Sequence, residues 1–270
     1  QNGTMIRKIG DGKHDITSIY GYNEENGDVY YQAAALNPHD RQVFVSHKNG
    51  KIERLTDQEG WNSAIFSGDY QFFINTWSNY NTPYTFTLRS QKGKVLSVLL
   101  DNSKLKVKMA EYGWSKREPF TFTTSEGISL DGWMLKPNNF DPSHKYPVIQ
   151  FQYSGPGSQQ VVDSWKAGSL GNGGAFDQYL VQQGFIVVCV DGRGTGGRGA
   201  KFEKCIYQQM GVLESKDQVE TALWLGNQTY IDKQHIGIWG WSFGGFNTLM
   251  SMSEGRNVFY AGLAVAPPTD

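Results

Sequence analysis

The sequence has little cysteine, little histidine and almost no net charge. Its 270 residues include two cysteines, Cys189 and Cys205, and five histidines. Two cysteines do not make the disulfide framework of a small secreted domain, and they could pair or stay free. A formal net charge of −1 gives no indication of nucleic acid or an anionic membrane as a partner, and we expect no nucleic-acid partner.

Long apolar segments are also absent. The longest strongly apolar run covers residues 185–190, whereas a membrane-spanning helix needs about 20 such residues. No basic start followed by an apolar stretch marks a signal peptide, and the first residue is Gln1 rather than methionine. We therefore expect no transmembrane segment in this chain, and we expect the chain to be processed or cut from a longer protein.

The first part of the chain, residues 1–118, has the composition of short β-strands and shows no helical periodicity. Valine, isoleucine, threonine and aromatic residues are concentrated in short runs, with turn residues between them. The strands are predicted at residues 28–34, 41–47, 51–56, 71–77, 83–90 and 94–100.

This part of the chain also repeats weakly. Gly27-Asp28 recurs 41 residues later as Gly68-Asp69, and residues 43–56 align with residues 86–99. A period of about 40–45 residues with several strands per unit is typical of β-propeller blades, although an ordinary antiparallel meander would also fit. About two repeats are present, and a closed propeller has at least four. We therefore expect an incomplete propeller.

After Pro119 the pattern changes to alternating strands and helices. A hairpin is predicted over 120–140, strands at 147–153, 185–191 and 235–241, and helices at 173–184, 214–228 and 245–254. Helix 214–228 is amphipathic, and its predicted inward residues are Val219, Leu223, Trp224 and Leu225. Strand and helix in alternation predict an open α/β sheet.

A serine follows the last of these strands directly. Residues 240–244, Gly-Trp-Ser-Phe-Gly, fit the G-x-S-x-G pattern of a nucleophile elbow, with a strand before the serine and a helix after it. The flanking glycines allow a tight turn, and the helix N-terminus directs backbone N–H groups toward a developing oxyanion. Ser242 is therefore predicted to be a nucleophile; the alternative is a buried serine in a glycine-rich turn.

A second glycine-rich segment suggests a different function. Gly192, Gly194 and Gly197 fit the G-x-G-x-x-G pattern of a dinucleotide site after a strand. However, charged side chains occupy the place where a pyrophosphate would meet bare backbone, namely Asp191, Arg193 and Arg198. A loop that borders the active site is the preferred interpretation.

Partners for Ser242 are missing from the chain. His235 lies seven residues before Ser242 in the same predicted strand, about 23 Å away. His144 precedes its strand, and His14, His39 and His47 belong to the strand-rich part. The acids after the serine are Glu254 and Asp270, and both are expected to be solvated. In folds with this nucleophile elbow, the catalytic acid and then the histidine follow the serine along the chain.

Five motifs carry a resemblance to a known family. They are YSGPGSQQV (153–161), VDGRGTGGRG (190–199), MGVLESKDQVETALWL (210–225), GWSFGGF (240–246) and AVAPPTD (264–270). In this order they resemble the prolyl oligopeptidase family of serine peptidases, and most of all its bacterial dipeptidyl peptidases. The resemblance implies the C-terminal blades of a β-propeller in residues 1–118, followed by the first half of an α/β-hydrolase domain in residues 119–270.

The resemblance also implies roles for single residues. Ser242 would be the nucleophile, the backbone N–H of Phe243 one oxyanion donor, and the phenol of Tyr153 the second. Phe243 and Pro268 would line a small apolar pocket for proline or alanine. The family has tyrosine where this chain has Phe243, so one hydroxyl is missing from that pocket. The family's acid and histidine would lie beyond Asp270, and its paired glutamates in an earlier part of the propeller.

The implied parent protein is a serine exopeptidase that releases Xaa-Pro or Xaa-Ala dipeptides from peptide N-termini, while this chain alone should be inactive. No metal or cofactor is implied. The parent would be periplasmic or extracellular, and both a membrane anchor and a homodimer are compatible with the resemblance. The alternatives are a tripeptidyl or acylaminoacyl peptidase of the same family, a binding relative that has lost its triad, and a lipase-like esterase.

Overall fold

The computed structural model describes residues 2–5, 7–170 and 174–269. The chain forms two compact units. The first contains the residues up to Lys108 together with Val162–Trp165 and Gly197–Gly199, and the second contains the rest. The boundary predicted between residues 118 and 119 stays a prediction, and strand β9 (Arg117–Thr123) runs across it.

The first unit holds two antiparallel sheets of four strands, each with its strands in sequence order. One sheet consists of β1 (Ile16–Asn23), β2 (Asp28–Ala33), β3 (Gln42–Ser46) and β4 (Ile52–Arg54); the other consists of β5 (Trp61–Phe66), β6 (Phe72–Asn79), β7 (Thr82–Ser90) and β8 (Val95–Leu100). The aligned segments 43–56 and 86–99 fall on β3–β4 and on β7–β8. The predicted repeat therefore corresponds to two propeller-type blade sheets.

Aromatic side chains fill the core of this unit. Tyr30 lies 4.6 Å from the ring of Phe66 and 4.8 Å from that of Tyr70, and Phe66 lies 5.0 Å from Phe73. Tyr30 belongs to the first sheet, while Phe66 and Phe73 belong to the second. Buried residues of the two sheets thus belong to one apolar cluster.

All six predicted strands of this part are present, but the prediction that it lacks helix is wrong. Helix α1 spans Ser103–Glu111, and none of its residues is buried. Its lysine, leucine, methionine and alanine favour a helix, yet without a buried face they produce no period. Strands β1 and β5 were not predicted either. In β5, Asn62 is fully buried while Ile65 is 70% exposed, which reverses the expected apolar alternation.

The second unit is built on a six-stranded sheet in the order β14-β13-β11-β12-β10-β9. Its further elements are β10 (Ser129–Leu135), β11 (Tyr146–Phe151), β12 (Ile186–Asp191), β13 (Ile231–Trp241) and β14 (Ala261–Val265), with helices α2 (Ala175–Gln182), α3 (Ala200–Lys204), α4 (Val212–Gly226) and α5 (Phe243–Met252). Residue 173, where α2 was predicted to begin, lies outside the described residues.

Four neighbouring strands of this sheet are parallel. β12 pairs with β11, β11 with β13 and β13 with β14 in parallel, whereas β9, β10 and β12 pair in antiparallel fashion. Every residue of β12 is buried, which agrees with a sequence that is apolar except for Asp191 at its end. The sheet confirms the α/β-hydrolase type, and the carboxyl ends of β11, β12, β13 and β14 meet at one edge.

One predicted core residue of α4 is misplaced. Val219 and Leu225 are fully buried, but Leu223 is 41% exposed. The buried face of α4 includes Gln218 and Thr221, so polar residues share the side that faces the sheet. Because the prediction used apolar residues alone, it placed Leu223 on the buried face of α4 in place of these polar residues. Among the helices in the described ranges, none is long and apolar enough to cross a membrane.

Candidate active site

Ser242 occupies a sharp turn between a strand and a helix. β13 ends at Trp241, Ser242 has φ 54° and ψ −117°, and α5 begins at Phe243. A positive φ is unfavourable for a residue with a Cβ, and it persists only where neighbouring structure enforces it. The backbone N–H of Ser242 donates to Val265 O at 2.9 Å, and Phe246 N–H donates to Ser242 O at 3.0 Å. The turn is therefore held from β14 and from the first turn of α5.

Three glycines allow the turn to approach its neighbours. A Cβ added to Gly240 or to Gly244 would lie 2.5 Å from the carbonyl oxygen of Gln152, and one added to Gly245 would lie 2.8 Å from that of Val265. Side chains cannot be accommodated at such distances without a shift of the backbone. The elbow thus packs directly on the chain that continues β11 and on β14.

Tyr153 leaves the sheet beside the start of the elbow helix. It lies two residues after the end of β11, and Gln152 N–H still donates to Trp239 O of β13 at 3.1 Å. The Cα of Tyr153 is 3.0 Å from an ideal Cβ at Gly244. The ring is half-buried. Tyr153 and Ser242 therefore share the edge of the sheet at which the parallel strands end.

The two residues predicted to line an apolar pocket differ in their surroundings. Phe243 is half-buried, and its ring packs edge-on against Phe246 with centroids 5.4 Å apart. Pro268 lies three residues after β14 and is exposed. Pro267 is closer to the elbow, since its Cα lies 3.3 Å from an ideal Cβ at Gly245.

The loop after Tyr153 is braced by the end of β12. The carboxylate of Asp191 accepts the backbone N–H groups of Gln160 and Val161 at 2.9 and 2.7 Å. Two backbone hydrogen bonds, Gly157 N to Gly194 O and Gly196 N to Ser158 O, are each 2.9 Å long. In the sequence Asp191 stood out only as an obstacle to a pyrophosphate, whereas its position at the end of a buried strand and before glycines fits this bracing role.

The glycine-rich segment 192–197 is covered by protein. The guanidinium of Arg193 forms bonds of 2.7–3.1 Å with the buried carboxylate of Asp217, which also accepts the Arg193 backbone N–H at 2.7 Å. Burial raises the pKa of Asp217, while the hydrogen bonds from Arg193 oppose this shift. A Cβ at Gly192 would lie 2.9 Å from that of Asp217. This backbone is not open to a pyrophosphate, which argues against the dinucleotide interpretation.

The histidines of this unit have partners elsewhere. His235 Nδ1 lies 2.7 Å from Asp232, and His144 Nδ1 lies 2.9 Å from Asp141, both near the amino ends of their strands. Glu254 was expected to be solvated, but its side chain is only 16% exposed because Arg256 binds it at 2.5–3.0 Å. Asp270 lies outside the described residues.

Cysteine, histidine and acidic side chains are the remaining groups that could act as nucleophiles or metal ligands. Cys189 is buried and Cys205 is half-buried, and neither forms a disulfide. Burial raises the pKa of both thiols, that of Cys189 by a wide margin, so both stay protonated at neutral pH. Within residues 2–5, 7–170 and 174–269, histidine, cysteine and acidic side chains form no cluster of three that could hold a metal ion.

Comparison with known proteins covers both units. Residues 175–270 match the model described as "Prolyl oligopeptidase family", and residues 1–84 match "Dipeptidyl peptidase IV (DPP IV) N-terminal region". "Probable dipeptidyl peptidase 4" of Aspergillus flavus is 32% identical, and "Dipeptidyl peptidase 4" of Arthroderma otae is 31% identical. Each match covers 96% of this chain and 34% of the relative. The chain thus spans about a third of the length of these relatives.

A solved structure is similar as well. The crystal structure of Porphyromonas gingivalis dipeptidyl peptidase 4 is 42% identical to this chain, with a TM-score of 0.90. The match covers 98% of this chain and 37% of that protein.

Proposed function

We propose, from the premise that this chain belongs to the prolyl oligopeptidase family and is of its dipeptidyl peptidase IV type, that the whole protein is a serine dipeptidyl peptidase. It removes two residues from the N-terminus of peptides whose second residue is proline or alanine. The observation that carries this proposal is the strained turn at Ser242, which lies at the same sheet edge as Tyr153.

The reaction proposed for this site is an acyl transfer. The Oγ of Ser242 attacks the carbonyl carbon of the second substrate residue, and its proton passes to a general base. The carbonyl oxygen becomes an oxyanion that accepts hydrogen bonds from the N–H of Phe243 and the hydroxyl of Tyr153. The peptide C–N bond then breaks, the amine leaves with the proton, and water hydrolyses the ester.

The base and its acid are proposed to come from the rest of the protein, since residues 2–5, 7–170 and 174–269 place no histidine at this edge. Selectivity for a small second residue would come from the apolar side chains of Phe243 and Pro268. Phenylalanine offers a flat apolar face to a pyrrolidine ring.

The test is hydrolysis of chromogenic peptides by the full-length protein. Gly-Pro-4-nitroanilide should be cleaved and Ala-Ala-Pro-4-nitroanilide should not. Ser242→Ala should lower kcat by about 10⁶-fold, and Tyr153→Phe by about 10²–10³-fold, because it removes one oxyanion donor. Cleavage that persists in the Ser242→Ala variant would refute the assignment, and release of tripeptides would point to a tripeptidyl peptidase of the same family.

A further inference from the structure

Two buried glutamines lie in the largely apolar segment 147–153, one within β11 and one directly after its end. Gln150 and Gln152 alternate along PVIQFQY, and neither side chain is exposed. Burial of a primary amide is unfavourable by several kcal/mol unless its polar atoms are hydrogen-bonded. The Nε2 of each side chain donates two hydrogen bonds, whereas the Oε1 of Gln150 has no hydrogen-bond partner among the described residues.

The amide of Gln152 binds the elbow helix at three points. Its Nε2 donates to Gly244 O at 2.6 Å and to Thr248 Oγ1 at 3.1 Å, and its Oε1 accepts from Asn247 Nδ2 at 3.1 Å. Both N–H groups and the carbonyl oxygen are thus used. All three partners lie within the first two turns of α5.

The backbone of Gln152 touches the same elements. Its N–H donates to Trp239 O of β13, and its carbonyl oxygen lies against Gly240 and Gly244. Gln152 directly precedes Tyr153, and Gly244 directly follows Phe243. The bond between Gln152 and Gly244 therefore joins the immediate neighbours of the two proposed oxyanion donors.

We infer that Gln152 is a positioning residue, whose side chain sets the distance between the hydroxyl of Tyr153 and the backbone N–H of Phe243. The inference rests on the function proposed above. Two donors stabilise an oxyanion only when both lie about 2.7–3.1 Å from it, so a small change in their separation weakens one of the two bonds. Gln152 itself need not contact the substrate.

The chain offers a matched control in Gln150. This residue is equally buried, but its Nε2 donates to Gln218 O at 3.0 Å and to Gln218 Oε1 at 2.7 Å, both on α4. The hydrogen bonds of Gln150 therefore lead to α4, whereas those of Gln152 lead to the elbow helix α5. Methionine has a similar length and no hydrogen-bonding amide, so Gln152→Met and Gln150→Met form a pair.

The experiment measures kcat and KM of both variants in the full-length protein with Gly-Pro-4-nitroanilide. Gln152→Met should lower kcat about 10-fold or more with KM within about twofold, because donor placement acts on the transition state. Gln150→Met should keep kcat within about twofold. Its Tm should fall by about as much as that of Gln152→Met. If Gln152→Met does not fold, Gln152→Asn, which retains a shorter amide, should also lower kcat.

A double variant separates positioning from a general loss of structure. In the Tyr153→Phe background the substitution Gln152→Met should cost less in kcat than it does in the wild type, because the second donor is already absent. Equal losses in both backgrounds, or equal kcat values for Gln152→Met and Gln150→Met, would overturn the inference. Failure of the proposed function looks different: the wild type would not cleave the substrate, or Ser242→Ala would, and the inference would fall with it.

Discussion

Replacement of Gly244 by alanine should impair catalysis more than stability. An ideal Cβ at this position would lie 2.5 Å from Gln152 O and 3.0 Å from the Cα of Tyr153. Carbon–oxygen contacts of this kind are ordinarily about 3.3–3.6 Å long. The start of α5 and the end of β11 must therefore separate by about 1 Å.

The magnitude follows from this displacement. Overpacking of this kind costs about 1–3 kcal/mol, and the higher helix propensity of alanine returns about 1 kcal/mol, so we expect a net loss of about 0–2 kcal/mol in the free energy of unfolding. A misplacement of about 1 Å at reacting groups can lower the rate about 10²-fold. Gly244→Ala in the full-length protein should thus fold and lose about 99% of kcat.

Steady-state hydrolysis measures the loss of kcat, and thermal unfolding of the same preparation measures the loss of stability. Gly237→Ala is the control, since a Cβ on Gly237 of β13 would meet its nearest atom, Ala261 O, at 3.6 Å, an ordinary contact. This control should behave like the wild type. Retention of more than half of kcat by Gly244→Ala, or an equal loss in Gly237→Ala, would refute the reasoning.

Three further predictions concern stability and are measured by unfolding of the full-length protein. Leu225→Ala should lower the free energy of unfolding by about 2–5 kcal/mol, whereas Leu223→Ala should change it by less than about 1 kcal/mol; similar losses would contradict the assigned face of α4. Asp191→Asn should lower it by about 1–3 kcal/mol, and an unchanged urea midpoint would show that the loop does not depend on this carboxylate. Hydrogen bonds from Arg256 lower the pKa of Glu254 below 4.5, so their stabilisation is complete above that pH and is lost as the pH falls through the lowered value. Arg256→Met should therefore reduce stability at pH 7 by about 1 kcal/mol, with a difference from the wild type that shrinks as the pH falls through the lowered pKa of Glu254.

The sequence predicted the fold where the pattern had one physical cause. β12 is apolar up to its last residue, Asp191, because both of its faces are covered, and the elbow is recognisable because Ser242 stands between a strand and a helix. Predictions failed where polar groups are buried. Asn62 and Gln218 lie in the interior through hydrogen bonds, and a hydropathy pattern assigns such residues to the surface.

In the candidate site, too, the residues recognisable from a motif were predicted and a buried polar residue was not. Tyr153 was identified through the resemblance to the family, while Gln152 beside it was not considered. A signal for Gln152 was present, because glutamine at alternate positions of an apolar strand predicts buried amides on one face. The identity of their partners could not be predicted, since Gly244, Asn247 and Thr248 are more than 90 residues away and meet Gln152 only through the crossover to β13.

The backbone angle at Ser242 indicates how a lineage of such proteins would lose its chemistry. A residue with a Cβ in this conformation costs about 1–3 kcal/mol, a strain that glycine avoids and alanine retains. Once selection for catalysis is removed, the substitution that gains stability at this position is therefore serine to glycine. In a family alignment, glycine in place of the elbow serine would mark descendants that have given up hydrolysis and kept the fold for binding.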